Sequence, residues 1–587
     1  MSFKTLTQLI LKLKAAFSLP LPKGEGRLRT SKLKRIAQGE GKTIIFIIVL
    51  AIILFFFKLG SFSLYDAAET TYGEFTKQIM LTGDWLTMHY NGTIIFDKPP
   101  LYFWLARIFS MFIGFNEWAM RLPAAIFGVM TVITTFMLGK VFYNKKVGFL
   151  SAIILMTAFQ FLIQSRIAEL DVLLVFFITA GFYCFWQGKY KLMYFWLALG
   201  TLIKGIIAVA MPGFAIFLFL VITNVAQTLR SAPNMSRAKA LRYVFGKLQI
   251  IPGILIVLAI GGPWYAAEWF LHGEKFTEFV LGFLFLSRFQ GVVSGHPGPL
   301  YYYLPALLLG FFPWSHFIPY AFIKTWKAAK SQATQQPSHP AILTLCYIIP
   351  VFIVFSVAKT KLPNYILPIY PFLAIMVGKL WADFQESERR AMLISNISLA
   401  IVVALVFIAA VIAGSQYSGP YEALMPQLQL LGTVMALGSL LSIMFFVFAN
   451  RVGRPLRPPE LAAAKSRSYA GYIASFAALP IMVFVMTAIL TTQTLPAVEK
   501  FKGTKELARK VSEAIKPNEQ IAAYNIGNRP GIVFYNSKPI VYLESKKELF
   551  DFLRLKKGYC FTTIEEYNKL KKKPTALNKK GDLIVIY

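Results

Sequence analysis

Long apolar blocks alternate with short polar intervals along the chain: "TIIFIIVLAIILFFFKLG" (43–60), "LAIVVALVFIAAVIAG" (399–414) and "LPIMVFVMTAIL" (479–490) hold a single ionisable residue, Lys58, between them. Runs of about 18 or more such residues are long enough to cross a bilayer as helices. After the first span at 43–60, spans are predicted near 121–141, 147–164, 171–187, 192–204, 206–224, 248–267, 299–322, 341–357, 363–381, 391–413, 425–449 and 470–490, two of which overlap the other two blocks. That makes a polytopic α-helical membrane protein of about thirteen helices. Residues 101–114 are apolar but short and follow two prolines, so they fit an interfacial helix better than a span. After residue 492 the pattern changes: "KELARKVSEAIK" and "KKELFDFLRLKK" read as amphipathic helices, "EQIAAYN", "PIVYLES" and "DLIVIY" as strands of a small α/β domain.

Charge orients this pattern. The chain of 587 residues carries 61 Lys and Arg against 28 Asp and Glu, a formal charge of +33. The basic residues fall in clusters between apolar blocks and not as one stripe on a soluble surface, which excludes a nucleic-acid partner and marks cytoplasmic loops. Residues 1–42 lack an early apolar core and read as a basic cytoplasmic tail, not a cleaved signal. The first span then runs outward, the loop 61–118 lies outside, and an odd number of spans puts 493–587 outside as well, leaving 43–492 as the membrane domain. Cys184, Cys346 and Cys560 show no disulfide or metal spacing.

Charges left on the outer side need another reason to be there. They are Asp66, Glu69, Glu74, Lys77, Asp84, Asp97 and Lys98 in the first loop, then Arg166, Glu169, Asp171, Lys204, Arg288, Lys359 and Lys361. For Glu74, Lys77 and Asp84 a solvated loop position is the simple expectation. Lys204, inside "LGTLIKGIIAVAMPG", has apolar residues on both sides and must reach the interface or meet an anion. Arg166, Glu169 and Asp171 fall within six residues at a helix end, so at least two share a face. Lysines, an arginine and carboxylates around one cavity suit a phosphate-bearing lipid. Lys98 is placed to hold the phosphate, and Asp97 to orient it or ligate a cation.

The segments "YDAAETTYGEFTKQIMLTGDW" (65–85), "FDKPPLYFW" (96–104), "ELDV" (169–172), "LIKG" (202–205), "GHPGPLYYYLPALLLGFFPW" (295–314) and "KTKLPNYILPIYP" (359–371), in this order, resemble the bacterial protein-mannosyltransferase-like, aminoarabinose-transferase-like (ArnT-like) glycosyltransferases of the GT-C fold. The resemblance covers residues 43 to 380 and beyond that rests on topology. It implies an inverting integral-membrane enzyme of the bacterial inner membrane, with its active site facing the periplasm. Such an enzyme moves a sugar from a polyprenyl (undecaprenyl) phosphate carrier to an outer-face acceptor. Lipid A is the favoured acceptor; protein O-mannosylation and surface-glycan transfer are the alternatives. A lipid transporter or flippase fits less well, since no internal repeat is evident and the spans hold few mid-helix charges.

By position, Lys98, Lys204, Arg288 and Tyr365 resemble the residues that hold the carrier phosphate, and Asp171 the acid of a second acidic motif. Where relatives carry adjacent Asp-Glu this chain has Ala68-Glu69, so the first-loop acidic role passes to Asp66 and Glu69 jointly. Relatives also have histidines upstream of the arginine where this chain has Phe283 and Phe285, which leaves a divalent metal cofactor, with Asp97 as its ligand, open. A hydroxyl acceptor needs a base, a role for Asp66 or Asp171; a phosphate acceptor needs only orientation.

Overall fold

The computed structural model describes residues 27–225, 246, 248–280, 297–332, 339–416, 422–449, 458–555 and 557–587. The basic loop predicted from Arg230 to Lys247 falls outside these residues except at Gly246, and so does Arg288. Residues 1–46 and 47–587 form separate units, and the architecture below is that of the second.

Each predicted span coincides with a helix or a broken pair of helices. Seven among the described residues are long and apolar enough to cross a membrane, or eight if the pair Leu300–Gly310 and Ser315–Ser331, bent by 118°, counts as one. The sequence-based figure of about thirteen includes shorter helices such as Asp171–Trp186, of 16 residues, and Tyr190–Lys204, of 15. At 1.5 Å rise per residue these fall short of a hydrocarbon core about 30 Å thick. Polar residues set the boundaries: Asn116 accepts from the Ala119 N–H at 3.0 Å to start Glu117–Phe142, and Asn144 does the same for Val147 ahead of Lys145–Thr157. The interfacial segment is a helix, Leu101–Ile113, with Met111, Phe112 and Ile113 exposed and Tyr102, Phe103 and Ala106 buried.

One buried ion pair ties the first loop to this bundle. Glu69 opens the helix Glu69–Thr82, and its carboxylate accepts Arg121 Nε and Nη2, both at 2.7 Å, with both side chains wholly inaccessible. The remaining guanidinium donors reach the carbonyls of Leu59, Phe62 and Ser63 at 2.8–3.0 Å, and the cation lies 3.9 Å above the Phe62 ring. Glu69 also accepts the backbone N–H of Tyr65 at 2.9 Å and of Ala168 at 2.6 Å. Arg166 is likewise structural: it donates to the carbonyls of Leu54 and Phe57.

The last part of the chain is a five-stranded sheet. Strands β1 (His89–Tyr90) and β2 (Thr93–Ile94) form a hairpin in the first loop; β3 (Gln520–Tyr524), β4 (Ile540–Leu543), β5 (Gly558–Thr563), β6 (Ala576–Lys580) and β7 (Leu583–Ile586) follow in the order β4-β3-β5-β7-β6. β3 pairs parallel with β4 and β5, while β7 pairs antiparallel with β5 and β6. Both faces are covered, which is why "IAAY" and "LIVI" are apolar without a break. Ile521 and Ala523 pack under Leu507 and Val511, and Ala522 and Tyr524 under Leu549 and Phe552.

This domain is seated on the first loop. Lys77 and Glu74, expected as solvated charges, are buried instead: Lys77 Nζ binds Glu74 at 2.9 Å and caps the helix Pro530–Tyr535 through the carbonyls of Val533, Phe534 and Asn536. Asn91, at the left-handed φ of +51° beside Gly92, turns the hairpin and exchanges two bonds with the Ile540 backbone, at 2.9 and 2.7 Å. Asp66 Oδ1 accepts the Gly531 N–H at 2.8 Å, an approach so close that a Cβ at 531 would lie 2.2 Å from that oxygen. Burial raises the Asp66 carboxyl above the usual range.

Arg121→Met leaves the Glu69 carboxylate buried without its counter-charge, and is expected to lower stability by about 3–5 kcal/mol. Thermal unfolding in lipid nanodiscs reads this; an unshifted midpoint refutes it. Lys77→Met is expected to speed amide hydrogen exchange across residues 530–536 while leaving the membrane helices unaffected.

Candidate functional site

Three elements converge on a cavity of about 490 Å³. The helix Tyr190–Lys204 ends with its lysine because Gly205, at φ +72° and ψ −158°, takes a backbone conformation open in practice to glycine alone. The helix Asp171–Trp186 begins with its aspartate, where the positive end of the helix dipole favours a carboxylate. The 3₁₀ turn Pro363–Ile369 supplies Asn364 and Tyr365. Asp171 Oδ1 accepts Lys204 Nζ at 2.5 Å and Oδ2 accepts Asn364 Nδ2 at 2.7 Å, while the Lys204 ammonium lies 5.4 Å from the centre of the Tyr365 ring. Both carboxylate oxygens of Asp171 are therefore engaged, and the lysine meets an anion as its apolar flanks required.

Phe96, Asp97, Lys98 and Pro99 also line the cavity. Lys98, 9% exposed, donates to Asp97 Oδ1 at 2.7 Å. Phe96 anchors the segment by packing on His272 and Phe276, with ring centroids 5.1 and 5.3 Å apart. The rest of the wall is apolar, with Ile207, Met211, Val257, Leu258, Val354 and Phe355 in it. Two lysines thus line one mostly apolar cavity, an arrangement that suits a ligand with an anionic head and a hydrocarbon chain.

Of the residues singled out from sequence, Asp97, Lys98, Asp171, Lys204 and Tyr365 line this one cavity. Asp66 and Glu69 are not among its lining residues; they engage the Gly531 N–H and Arg121 respectively. Arg288 lies outside the described residues. Glu169 is buried beside the site, and burial, then the neighbouring Asp171 carboxylate, push it up to about 7. Lys361 is turned away: its ammonium caps the carbonyls of Ser356 and Ala358, both at 2.6 Å. Asn364 was missed, although a polar residue between the proline and tyrosine of "KLPNY" is a legible signal. Trp264 and Tyr265 were absorbed into an apolar span, yet both line the cavity.

Among the described residues no three His, Cys, Asp or Glu converge to hold a metal, and Asp97 Oδ1 is engaged by Lys98.

Residues 97–241 match the family described as dolichyl-phosphate-mannose-protein mannosyltransferase. An uncharacterized protein of Aquifex aeolicus (strain VF5) is 26% identical over 544 residues, 89% of this chain and 95% of that one. The undecaprenyl phosphate-alpha-4-amino-4-deoxy-L-arabinose arabinosyl transferase 2 of Proteus mirabilis (strain HI4320) is 26% identical over 63% of this chain, a match spanning 66% of that protein, just under two thirds of its length. The crystal structure of ArnT from Cupriavidus metallidurans bound to undecaprenyl phosphate superposes with a TM-score of 0.71 at 18% identity, over 92% of this chain and 97% of that one. Six motifs in order resemble that family, the cavity gathers residues from four of them, and along nearly its whole length the chain shares the fold of the ArnT crystal structure.

Proposed function

We propose that this protein transfers a sugar from a polyprenyl-phosphate carrier to a lipid acceptor, lipid A being the favoured one, at the periplasmic face of a bacterial inner membrane. The observation that carries the reading is the pairing of Lys98 and Lys204 with a long apolar wall in one cavity, which matches the two ends of a polyprenyl phosphate. The relatives named as undecaprenyl phosphate-alpha-4-amino-4-deoxy-L-arabinose arabinosyl transferases support it.

In this reaction the bond between the sugar carbon and the phosphate oxygen breaks, its electron pair leaves with the phosphate, and the acceptor oxygen attacks the opposite face. Lys98 and Lys204 neutralise the charge that collects on the leaving phosphate. As Lys204 moves toward that phosphate it releases Asp171 Oδ1, which then takes the proton of a hydroxyl acceptor; an anionic phosphate acceptor needs no such transfer. Asp171 thus carries the acidic role, with Asp66 and Glu69 holding the scaffold around it.

Lys98→Ala is expected to lower turnover by roughly 10- to 150-fold with little loss of folded protein, a charge-assisted contact to the phosphate being worth roughly 1.5–3 kcal/mol; Lys98→Arg restores only part, because the guanidinium is larger and planar. Asp171→Asn lowers turnover of a hydroxyl acceptor by at least about a hundredfold. The assay is purified protein in lipid with defined polyprenyl-phosphate sugars, lipid A and a peptide pool, read by mass spectrometry. Glycopeptide as the sole product would shift the reading to protein O-mannosylation, and a fully active Lys98→Ala removes that lysine from the site.

The ion pair is also readable without turnover. Lys204→Met lowers the thermal midpoint, and adding Asp171→Asn recovers most of the loss, a coupling of roughly 1–3 kcal/mol. For orientation, cysteines placed at Glu40 and Gln520 in a background without Cys184, Cys346 and Cys560 are labelled from intact spheroplasts. Labelling is expected at 520 and not at 40, and the reverse overturns the topology.

A further inference from the structure

Glu169 stands two residues before Asp171, at the turn that leads into its helix, and no step above uses it. Its Oε2 is buried with no hydrogen-bond partner. A buried polar atom left unpaired in this way calls for a physical reason. The groups around it are Asp171, Lys204, Gln164 and Glu69, with Tyr102 in electrostatic contact from the interfacial helix. Glu69 is matched by the Arg121 guanidinium and Asp171 by Lys204 and Asn364, so Glu169 is the acid of this group without a matched cation.

We propose that Glu169 is a positioning residue that sets how tightly Asp171 retains the Lys204 ammonium, and so how readily that ammonium is released to a carrier phosphate, an inference that rests on reading the cavity as the carrier site. With Glu169 protonated, Lys204 faces one nearby carboxylate and one positive charge balances one negative. With Glu169 ionised, the same ammonium faces two carboxylates and is drawn inward, away from the cavity and the phosphate. Burial and the Asp171 charge raise the Glu169 carboxyl to about 7, so the two forms exchange within the neutral range. The sign is fixed: protonation below that range frees Lys204 for the carrier, and ionisation above it holds Lys204 back. Glu69 cannot play this part, since its charge is already taken by Arg121 in a fully enclosed pair.

The test uses binding, which does not depend on the acceptor or on turnover. Dissociation constants for undecaprenyl phosphate are measured on the full chain in nanodiscs, for the wild type and Glu169→Gln, between about pH 5.5 and pH 8.5, on either side of the range in which Glu169 titrates. The ratio of wild type to variant cancels the titration of the carrier phosphate itself. It is expected to stay near one at the acidic end and to rise to about three- to tenfold at the alkaline end, the effect of one added charge in a partly screened site. Glu169→Asp, which keeps the ionisable group, retains the rise. A ratio constant across the range, or one that falls with pH, overturns the proposal, as does a Glu169→Asp variant that behaves like Glu169→Gln. If neither protein binds undecaprenyl phosphate at any pH, the carrier reading of the cavity fails first, and the role of Glu169 falls with it.

Discussion

The enclosed pair of Glu69 and Arg121 is the constraint on which the rest of the site hangs. Taking both charges out of water costs several kcal/mol per ion, and the cost is offset only if nearly every donor and acceptor finds a partner. Here they do: the guanidinium spends its donors on one carboxylate and three carbonyls, and the carboxylate accepts two backbone amides besides. One of those amides belongs to Ala168, three residues before Asp171, so the pair fixes the start of the first loop and the approach to the Asp171 helix in a single knot. Lys would not serve at position 121, because an ammonium has too few donors, in the wrong geometry, to reach the same set of acceptors.

Around that knot the cavity solves an electrostatic problem. A lysine beside apolar helices is tolerable only with an anion at hand, and Asp171 supplies one. On the proposed carrier reading the same contact is exchanged at little cost, because one negative partner replaces another. Asn364 keeps the carboxylate aimed throughout, being neutral and attached to its other oxygen. The site therefore carries its charges in compensated form at each stage, which the surrounding wall of Ile207, Met211, Val257 and Leu258 demands.

Much of this was legible in the chain. The spans announce themselves by length and apolarity, and Lys204 by its isolation among apolar neighbours. Lys98, Asp171 and Tyr365 are found through motifs that mean little singly and much in sequence order. What local pattern could not reveal were partnerships over long separations. Asp66 looks like a site acid, but its oxygen meets the amide of Gly531, 465 residues away, and nothing near Asp66 signals this. Lys77 looks like a loop charge for the same reason, its carbonyl partners lying at the end of a helix near the other end of the chain, and Glu74 is buried with it. Arg121 sits at a helix start in apolar surroundings and passes for a boundary residue. β5 and β6 escaped notice because "GYCFTT" and "ALNKK" lack the alternation or the long apolar run that marks a strand, and form only against β3 and β7.

The seat of Lys77 on the carbonyls of residues 533–536 has a consequence for how the protein is made. The lysine and its partner at Val533 are separated by 456 positions, so during synthesis the helix Glu69–Thr82 leaves the ribosome long before the groups that complete it exist. At roughly 5–20 residues per second that interval is on the order of 20–90 s. For that time a charged pair built for burial stays hydrated, and the first loop has no lid. Truncation late in the chain would then leave every membrane helix in place and the loop beside the cavity unfinished, so that completion of translation itself acts as the checkpoint on when this site is assembled.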